Sequence, residues 1–306
     1  MTIKKLISVL ALLATALLGS CSKKQEEGEG NSQPPKPPTP EVVAALKSQA
    51  VGKSFARSEE IVTEEVRFRA SKVMSKAYLA MPKSPGPHPG VLVLHEWWGH
   101  NEYVRMRAEM LAKLGYAALA MDMYGAGKKA HDPQSAAFFD SQVRRSEEEM
   151  NARFLASLKF FRARPEVDTE RIAAIGYGSG GDVCLQMARN GMRGLDGVVA
   201  FHPFFKIHSP NPPIKKIPAK ILVCNAVEDP YIRPGVIDRF KKVMKSGKAD
   251  LTIMDFPTAM QSFTVPGADK IGAKFNIPHL YDAQADASSW KALQNFLTDL
   301  WKPADE

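Results

Sequence analysis

Cysteine is scarce in this chain, and no group of cysteines and histidines has the spacing of a metal site. The 306 residues contain three cysteines. Cys184 and Cys224 each lie in an apolar segment, where a thiol behaves as a small hydrophobic side chain. The pattern offers no support for a disulfide framework, and we expect neither a bound metal nor a cofactor.

Basic runs interleaved with aromatic residues are also absent, although the chain is basic overall. It has 41 Lys and Arg against 33 Asp and Glu, which is a formal net charge of +8. Charge spread in this way favours solubility and does not form a track for a phosphate backbone. We therefore do not expect a nucleic-acid partner.

The apolar run Leu6–Leu18 follows two lysines and is too short to span a bilayer comfortably. It ends in L-G-S-C, which is typical of a lipoprotein signal. We therefore predict a signal peptide over residues 1–20 and lipidation of Cys21, which anchors the chain to a membrane of the cell envelope. Ser22 favours the outer membrane in a Gram-negative host. The alternative is an ordinary secretory signal that is cut elsewhere, with Cys21 incidental.

Residues 21–40 begin with that cysteine and continue without a bulky apolar side chain, in a stretch rich in Pro, Glu and Lys. This composition predicts a disordered tether between the membrane and the folded part. Residues 41–306 have the usual size of one α/β domain.

Buried apolar strands alternate with amphipathic helices along this domain, which predicts a single-domain α/β fold. We expect a mostly parallel central sheet with helices on both faces and an edge strand at Ile61–Arg69. Asp132–Arg164 is predicted to be mostly helical. Further helices are predicted at Glu41–Ser48 and, at the end of the domain, Ala285–Trp301.

The segment Ile172–Gly181 reads I-A-A-I-G-Y-G-S-G-G and passes from an apolar strand through a sharp turn into an amphipathic helix. This is the pattern of a nucleophile elbow, G-x-Nu-x-G, with Gly176 and Gly180 in the two glycine positions. The nucleophile position is Gly178, which has no side chain to attack a substrate. Glycine there also relieves a backbone strain of about 1–3 kcal/mol that a larger residue would carry.

Four separated motifs follow one another in a specific order. They are the stretch from His95 to Gly125, which begins H-E-W-W-G-H, then I-A-A-I-G-Y at 172–177, E-D-P at 228–230 and S-F-T at 262–264. Together they resemble the motifs of dienelactone hydrolases (carboxymethylenebutenolidases), from about residue 61 to residue 301. The resemblance implies an α/β-hydrolase fold that acts on esters or lactones.

In that family the catalytic groups are a cysteine, an aspartate and a histidine, assisted by a glutamate. The resemblance places the glutamate at Glu96 and the aspartate at Asp229, and both are present. The cysteine position is Gly178, and the histidine position, within A-M-Q-S-F-T, is Gln261. Glutamine has no pKa near neutrality and cannot act as a general base, so the nucleophile and the base are both missing.

Ser179 is the alternative nucleophile, with His202 or His95 as a recruited base. Its register argues against this role, because Tyr177 would then stand where the elbow requires a very small residue. In the natural register Ser179 follows the nucleophile, and its backbone N–H lines an oxyanion hole. His202 ends a strand and His95 precedes Glu96, and each can equally be a packed histidine.

The predicted ligand pocket surrounds the family's catalytic positions. Its residues are Glu96, Trp97, Trp98, Tyr124, Ser179, Asp229 and Gln261. The two tryptophans either form an apolar floor for a ring-like ligand or pack in the core against the terminal helix. Asp229 can bond the Gln261 amide instead of a histidine. Gly125 follows Tyr124, where some family members carry an arginine, so we do not expect an anionic lactone.

Three functions are compatible with these residues. The favoured one is a family member without the triad chemistry that binds a small ester-like or lactone-like molecule in the former active-site cleft. The second is an active hydrolase with a rearranged site, in which Ser179 works with a recruited histidine. The third is a structural or interaction lipoprotein of the envelope, for which the cleft is irrelevant.

Overall fold

The computed structural model describes residues 60–206 and 214–302. The predicted signal peptide, the tether and the helix Glu41–Ser48 lie outside the described residues. No helix in the described ranges combines the length and the apolar character that a membrane crossing requires.

The described chain begins with an antiparallel hairpin of β1 (Ile61–Ala70) and β2 (Val73–Pro82), which pair along their whole length. β1 lies at the edge of the sheet, and several of its side chains are exposed. Val66 is buried there between exposed neighbours, as the alternation of apolar and polar residues predicts.

Six further strands complete one eight-stranded sheet. They are β3 (His88–Leu94), β4 (Ala117–Ala120), β5 (Val167–Tyr177), β6 (Gly197–Phe201), β7 (Lys220–Ala226) and β8 (Leu251–Phe256). The strand order is β1-β2-β4-β3-β5-β6-β7-β8. β3 to β8 run parallel to one another, whereas β2 is antiparallel to β1 and to β4. The prediction of a mostly parallel sheet is confirmed.

Seven helices connect or follow the strands in the described ranges. They are α1 (Glu102–Lys113), α2 (Pro133–Arg144), α3 (Glu147–Arg162), α4 (Ser179–Arg189), α5 (Val236–Ser246), α6 (Ala268–Phe275) and α7 (Ala283–Leu300). Helix α6 was not predicted. The segment predicted to be mostly helical holds two helices, because Ser146 accepts a hydrogen bond from the Glu149 N–H at 3.1 Å and begins α3 as a new helix.

Helices cover both faces of the sheet. One core lies beneath α3, α4 and α5, and it includes Phe154, Phe161 and Phe240. The other core lies beneath α1 and α7, and it includes Leu111 and Leu293. The strands between these two layers are buried on both faces, which explains their continuous apolar sequences. The two cysteines at 184 and 224 are buried and free.

The turn from β5 into α4 is the tightest backbone approach that bears on the site. A Cβ on Gly176 would lie 2.3 Å from the backbone carbonyl of Gly180 and 2.6 Å from the Gly181 nitrogen. Gly178 then adopts φ 50° and ψ −116°, a backbone conformation that favours glycine. The first turn of α4 can therefore press against the end of the sheet only because these positions lack side chains.

We predict that Gly176→Ala lowers the free energy of unfolding by about 3 kcal/mol or more, because rigid backbone atoms must move to admit the methyl group. Urea unfolding measures the loss. Gly115→Ala is the control, since Gly115 has φ 96° and no atom within 4 Å of a built Cβ. That control should cost only about 1–2 kcal/mol of conformational strain. Equal losses for the two variants would contradict the packing argument.

Candidate functional site

Glu96 follows β3 at the edge of the sheet where the parallel strands end, and only 4% of its surface is exposed. Its Oε1 accepts a hydrogen bond from Ser262 Oγ at 2.7 Å. Burial raises the pKa of Glu96 to about 7, against the opposing effect of that hydrogen bond. The carboxyl group is therefore close to half-protonated near neutral pH.

Gly178 lies at the next position along this edge, after β5. A Cβ built on it would lie 3.0 Å from the side-chain amide of Gln261, 3.7 Å from His202 Nδ1 and 3.8 Å from Glu96 Cγ. Three polar side chains from distant parts of the sequence thus face the place where a nucleophile would begin. We call these four residues, Glu96, Gly178, His202 and Gln261, the 178 corner.

The side-chain amide of Gln261 matches the hydrogen-bonding groups around it in only one of its two orientations. Its nitrogen then donates to Asp229 Oδ2 at 2.7 Å and to the backbone carbonyl of His202 at 3.1 Å. Asp229 Oδ1 accepts from the Tyr231 N–H at 2.9 Å. Burial raises the pKa of Asp229 to about 6, although the Tyr231 hydrogen bond opposes this. In this orientation the Gln261 oxygen is the atom turned toward Gly178.

Ser179 is the first residue of α4, so its backbone N–H has no acceptor within the helix. Its carbonyl oxygen accepts from Arg144 at 2.8 Å. Among the described residues, no hydrogen bond joins Ser179 Oγ to an imidazole nitrogen.

His95 is fully engaged in the backbone around it. Its Nε2 accepts from the Met123 N–H at 3.2 Å, so the ring proton is on Nδ1, which donates to the Glu96 carbonyl at 2.6 Å. Burial lowers the pKa of His95. Both ring nitrogens are used, which leaves neither of them free to take a proton from Ser179.

His202 ends β6 and is held by a chain of hydrogen bonds that starts at a buried arginine. Arg107 Nε, which can only donate, lies 3.2 Å from the Tyr103 hydroxyl. The Tyr103 hydroxyl lies 2.7 Å from Thr264 Oγ1, which lies 2.9 Å from His202 Nε2. This chain of contacts holds the His202 ring in place through Nε2.

The other ring nitrogen of His202, Nδ1, faces the 178 corner. Burial lowers the pKa of His202 to about 3, with a smaller contribution from His279. The Nδ1 atom lies 3.9 Å from Glu96 Oε1, which is too far for a direct hydrogen bond. His202 is therefore a neutral imidazole near neutral pH.

The two tryptophans make ring contacts with each other and with the segment around α6. Their ring centroids are 5.2 Å apart, and Trp98 stacks on Phe275 of α6 at 6.1 Å. Trp97 lies 5.8 Å from the ring of His279, which follows that helix. The sequence did not reveal α6, so these ring contacts were not among the two predicted alternatives.

Tyr124 also lies beside the cleft. Its hydroxyl donates to the Trp97 carbonyl at 2.9 Å, and its ring meets His95 edge-on at 4.6 Å. Burial raises the pKa of Tyr124. It therefore acts in the structure as a fixed support for the loop after β3.

Several residues of the cleft had no distinguishing sequence signal. His279, within the plain sequence I-P-H-L, lies beside Gln261 in a parallel bridge, and its Nδ1 is 3.1 Å from Ser262 Oγ. Ser262 and Thr264 belong to the S-F-T motif, which was recognised in the sequence, but their hydrogen-bond partners could not be predicted from it. In the ranges that the structure describes, no three of the His, Cys, Asp and Glu side chains are grouped to hold a metal ion.

Comparison with known proteins places this geometry in a family. The model of the dienelactone hydrolase family matches residues 75–300. Protein usf of Aquifex pyrophilus is 28% identical over 191 residues, which cover 60% of this chain and 79% of that protein.

Solved structures agree with that match. The protein m3DLH superposes with a TM-score of 0.72 at 30% identity, over 79% of this chain and 100% of that one. A dienelactone hydrolase-like promiscuous phosphotriesterase from metagenomic libraries gives a TM-score of 0.70 at 29% identity, over 79% of this chain and 99% of that one. With the family model covering most of the described residues, the chain belongs to the dienelactone hydrolase family.

Proposed function

We propose that this chain is a catalytically degenerate member of the dienelactone hydrolase family, and that it binds a small molecule in the cleft around the 178 corner. The observation that carries the proposal is the pairing of Gly178 at the elbow with Gln261 on Asp229. The triad acid is bonded to a neutral amide that cannot move a proton at neutral pH, and the elbow has no attacking atom.

The second function, a hydrolase in which Ser179 works with a recruited histidine, is disfavoured by the surroundings of the two histidines. His202 Nε2 is bonded to Thr264 Oγ1 at 2.9 Å, and burial lowers the pKa of the ring to about 3, so His202 is a weak base for a proton from Ser179. His95 has both nitrogens bonded to the backbone. A serine without a base is a weak nucleophile, which leaves the second function without a mechanism.

Ligand binding is supported by polar atoms that the described residues leave unsatisfied. Trp97 Nε1, His202 Nδ1 and His279 Nε2 are buried, and each has no hydrogen-bond partner in the described ranges. A buried polar group without a partner costs about 1–3 kcal/mol. Three such atoms on residues of one cleft favour a ligand that completes them.

The purified full-length chain should not turn over short p-nitrophenyl esters, a lactone or a phosphotriester above the background rate. Ser179→Ala should leave that result unchanged, since Ser179 has no base. Initial rates with each substrate measure both expectations. Turnover that is abolished by Ser179→Ala would establish the rearranged hydrolase instead.

The same cleft should regain activity when the two missing groups are restored. We expect Gly178→Cys with Gln261→His to hydrolyse esters about 10²-fold faster than Gly178→Cys alone, because the histidine can then act as a base between Asp229 and the thiol. A double variant that folds but matches the single variant would show that the cleft no longer has the family's geometry.

The raised pKa of Glu96 predicts a pH-dependent stability. The folded chain keeps this proton to a higher pH than the unfolded chain, whose carboxyl has the usual pKa of 4.5. The contribution of Glu96 to the free energy of unfolding therefore falls as the pH rises from 4.5 to about 7, by about 3 kcal/mol. Glu96→Gln stays neutral and should lose this contribution.

Urea unfolding at several pH values between 4.5 and 7.5 tests the predicted contribution of Glu96 to stability. The stability of Glu96→Gln relative to the native chain should rise by about 3 kcal/mol over the interval. Glu228→Gln, at an exposed position, is the control and should run parallel to the native chain. If the Glu96→Gln curve also runs parallel, burial does not raise the Glu96 pKa.

We further propose that Cys21 is lipidated and anchors this domain to a membrane of the cell envelope. In a bacterial host, Cys21→Ser should abolish incorporation of labelled palmitate and move the chain from the membrane fraction to the soluble fraction. Cys184→Ala, which removes a buried thiol of the core, should retain the label and the membrane location. Label that persists in Cys21→Ser would place the lipid elsewhere.

A further inference from the structure

Positive charge is concentrated on the surface around α5. The helix is amphipathic, because Phe240 and Met244 are buried in the core beneath it while the residues on its opposite side are exposed. Four of those exposed residues are basic, and one more lysine lies two positions beyond the end of the helix. They are Arg239, Lys241, Lys242, Lys245 and Lys248.

A second basic segment lies against the end of this helix. The Ile217 N–H donates to the Gly247 carbonyl at 2.8 Å, and a Cβ built on Gly247 would lie 2.7 Å from the Ile217 side chain. These contacts bring Lys215 and Lys216, which are both exposed, next to α5. We call the seven cations the basic face, namely Lys215, Lys216, Arg239, Lys241, Lys242, Lys245 and Lys248.

The basic face has no acidic partners of its own. The sequence has no Asp or Glu at 214–220 or at 239–249, and Asp238 and Asp250 only flank the helical part. Cations elsewhere are paired, as Lys76 is with Glu65 at 3.3 Å. Within the described ranges, no ion pair includes a residue of the basic face. Its charge is therefore available to an external partner.

The composition of the basic face favours a layer of anionic lipid headgroups over a nucleic acid. Phe240 is the single aromatic residue at 214–220 and 236–250, and it is 2% exposed, so no ring is available there to stack on a base. Six of the seven cations are lysines, which act as point charges on flexible stems and suit a headgroup layer without fixed geometry. The outer side of one helix can also meet a flat surface.

We propose that the basic face docks this domain on a membrane surface that contains anionic lipids. Each lysine near such a surface strengthens binding about fivefold, and the attraction is lost within a Debye length of the surface. This inference goes beyond the proposed ligand binding and does not depend on it.

Docking through the basic face is compatible with an anchor at Cys21. Helix α5 connects β7 to β8, so it lies toward the opposite edge of the sheet from β1, about 30 Å away by the spacing of the strands. The chain between Cys21 and β1 has about 40 residues, which span more than about 100 Å when fully extended. Its length therefore allows the lipid and the basic face to reach one membrane.

Co-sedimentation with vesicles tests the proposal. The full-length chain carries Cys21→Ser in every sample, so that no lipid on this residue contributes to binding. One set of vesicles is phosphatidylcholine alone, and the other contains about 30% phosphatidylglycerol. The chain should bind the anionic vesicles at least about tenfold more tightly, and this preference should disappear when the ionic strength is raised from about 0.05 M to about 0.5 M.

A triple variant tests which residues make the contact. Lys241→Gln combined with Lys242→Gln and Lys245→Gln removes three charges from the exposed side of α5. Binding to the anionic vesicles should weaken about 100-fold, since each of the three lysines contributes about fivefold.

The matched control removes the same net charge from other parts of the surface. Lys83→Gln combined with Lys270→Gln and Lys291→Gln changes three exposed lysines outside the basic face. Because charges far from the docked surface are screened by salt, this control should weaken binding no more than about threefold. Urea unfolding verifies that both triple variants are folded.

Three outcomes would overturn the proposal. They are equal binding of the unaltered Cys21→Ser chain to the two kinds of vesicle, equal losses in the two triple variants, and tighter binding to a short DNA duplex than to the anionic vesicles. The first and third comparisons need no charge variant, so they hold whatever the stability of the triple variants. The ester assays and the palmitate labelling described above are independent of these outcomes.

Discussion

The close contact between the end of β5 and the first turn of α4 is the constraint on which the rest of the cleft depends. Gly176 lets the backbone of Gly180 approach the sheet, and Gly178 makes the turn with a positive φ. Parallel strands end at one edge, so this corner collects the residues that follow neighbouring strands, namely Glu96, Gly178 and His202. A looser turn would separate groups that now lie within 4 Å of one point.

Hydrogen bonds between distant segments hold two of the polar side chains that face Gly178. The Gln261 amide bonds to Asp229, and His202 Nε2 bonds to Thr264 Oγ1. Each bond satisfies buried polar atoms that would otherwise be costly. These bonds keep the end of the sheet packed around a position that has no side chain of its own.

The buried Arg107 extends this set of hydrogen bonds away from the 178 corner. Its guanidinium is 2% exposed, it pairs with Asp286 of α7, and it donates to the Thr264 carbonyl at 2.7 Å. Arg107 Nε also lies 3.2 Å from the Tyr103 hydroxyl, which contacts Thr264 and through it His202. A residue outside the 178 corner thus helps to hold the histidine that lies there.

Much of the fold could be predicted because its signals are local. A strand such as β3, buried on both faces, is a continuous apolar run, and the elbow is a short glycine pattern. The break between α2 and α3 was missed because apolar periodicity continues through it, while the cap at Ser146 involves a single hydrogen bond. Helix α6 is short and was not distinguished from the loops around it, so the contact between Trp98 and Phe275 was not predicted.

The sequence by itself determined that glycine stands at position 178 and glutamine at position 261, two positions that motifs identify. Only the tertiary structure decided how the remaining polar groups are paired. Glu96 and Ser262 are 166 positions apart in the chain, and Tyr103 and Thr264 are 161 apart, yet each pair is joined by one hydrogen bond. Proton positions and buried pKa values follow from such contacts, which arise when distant segments pack together and which no local pattern of residues encodes.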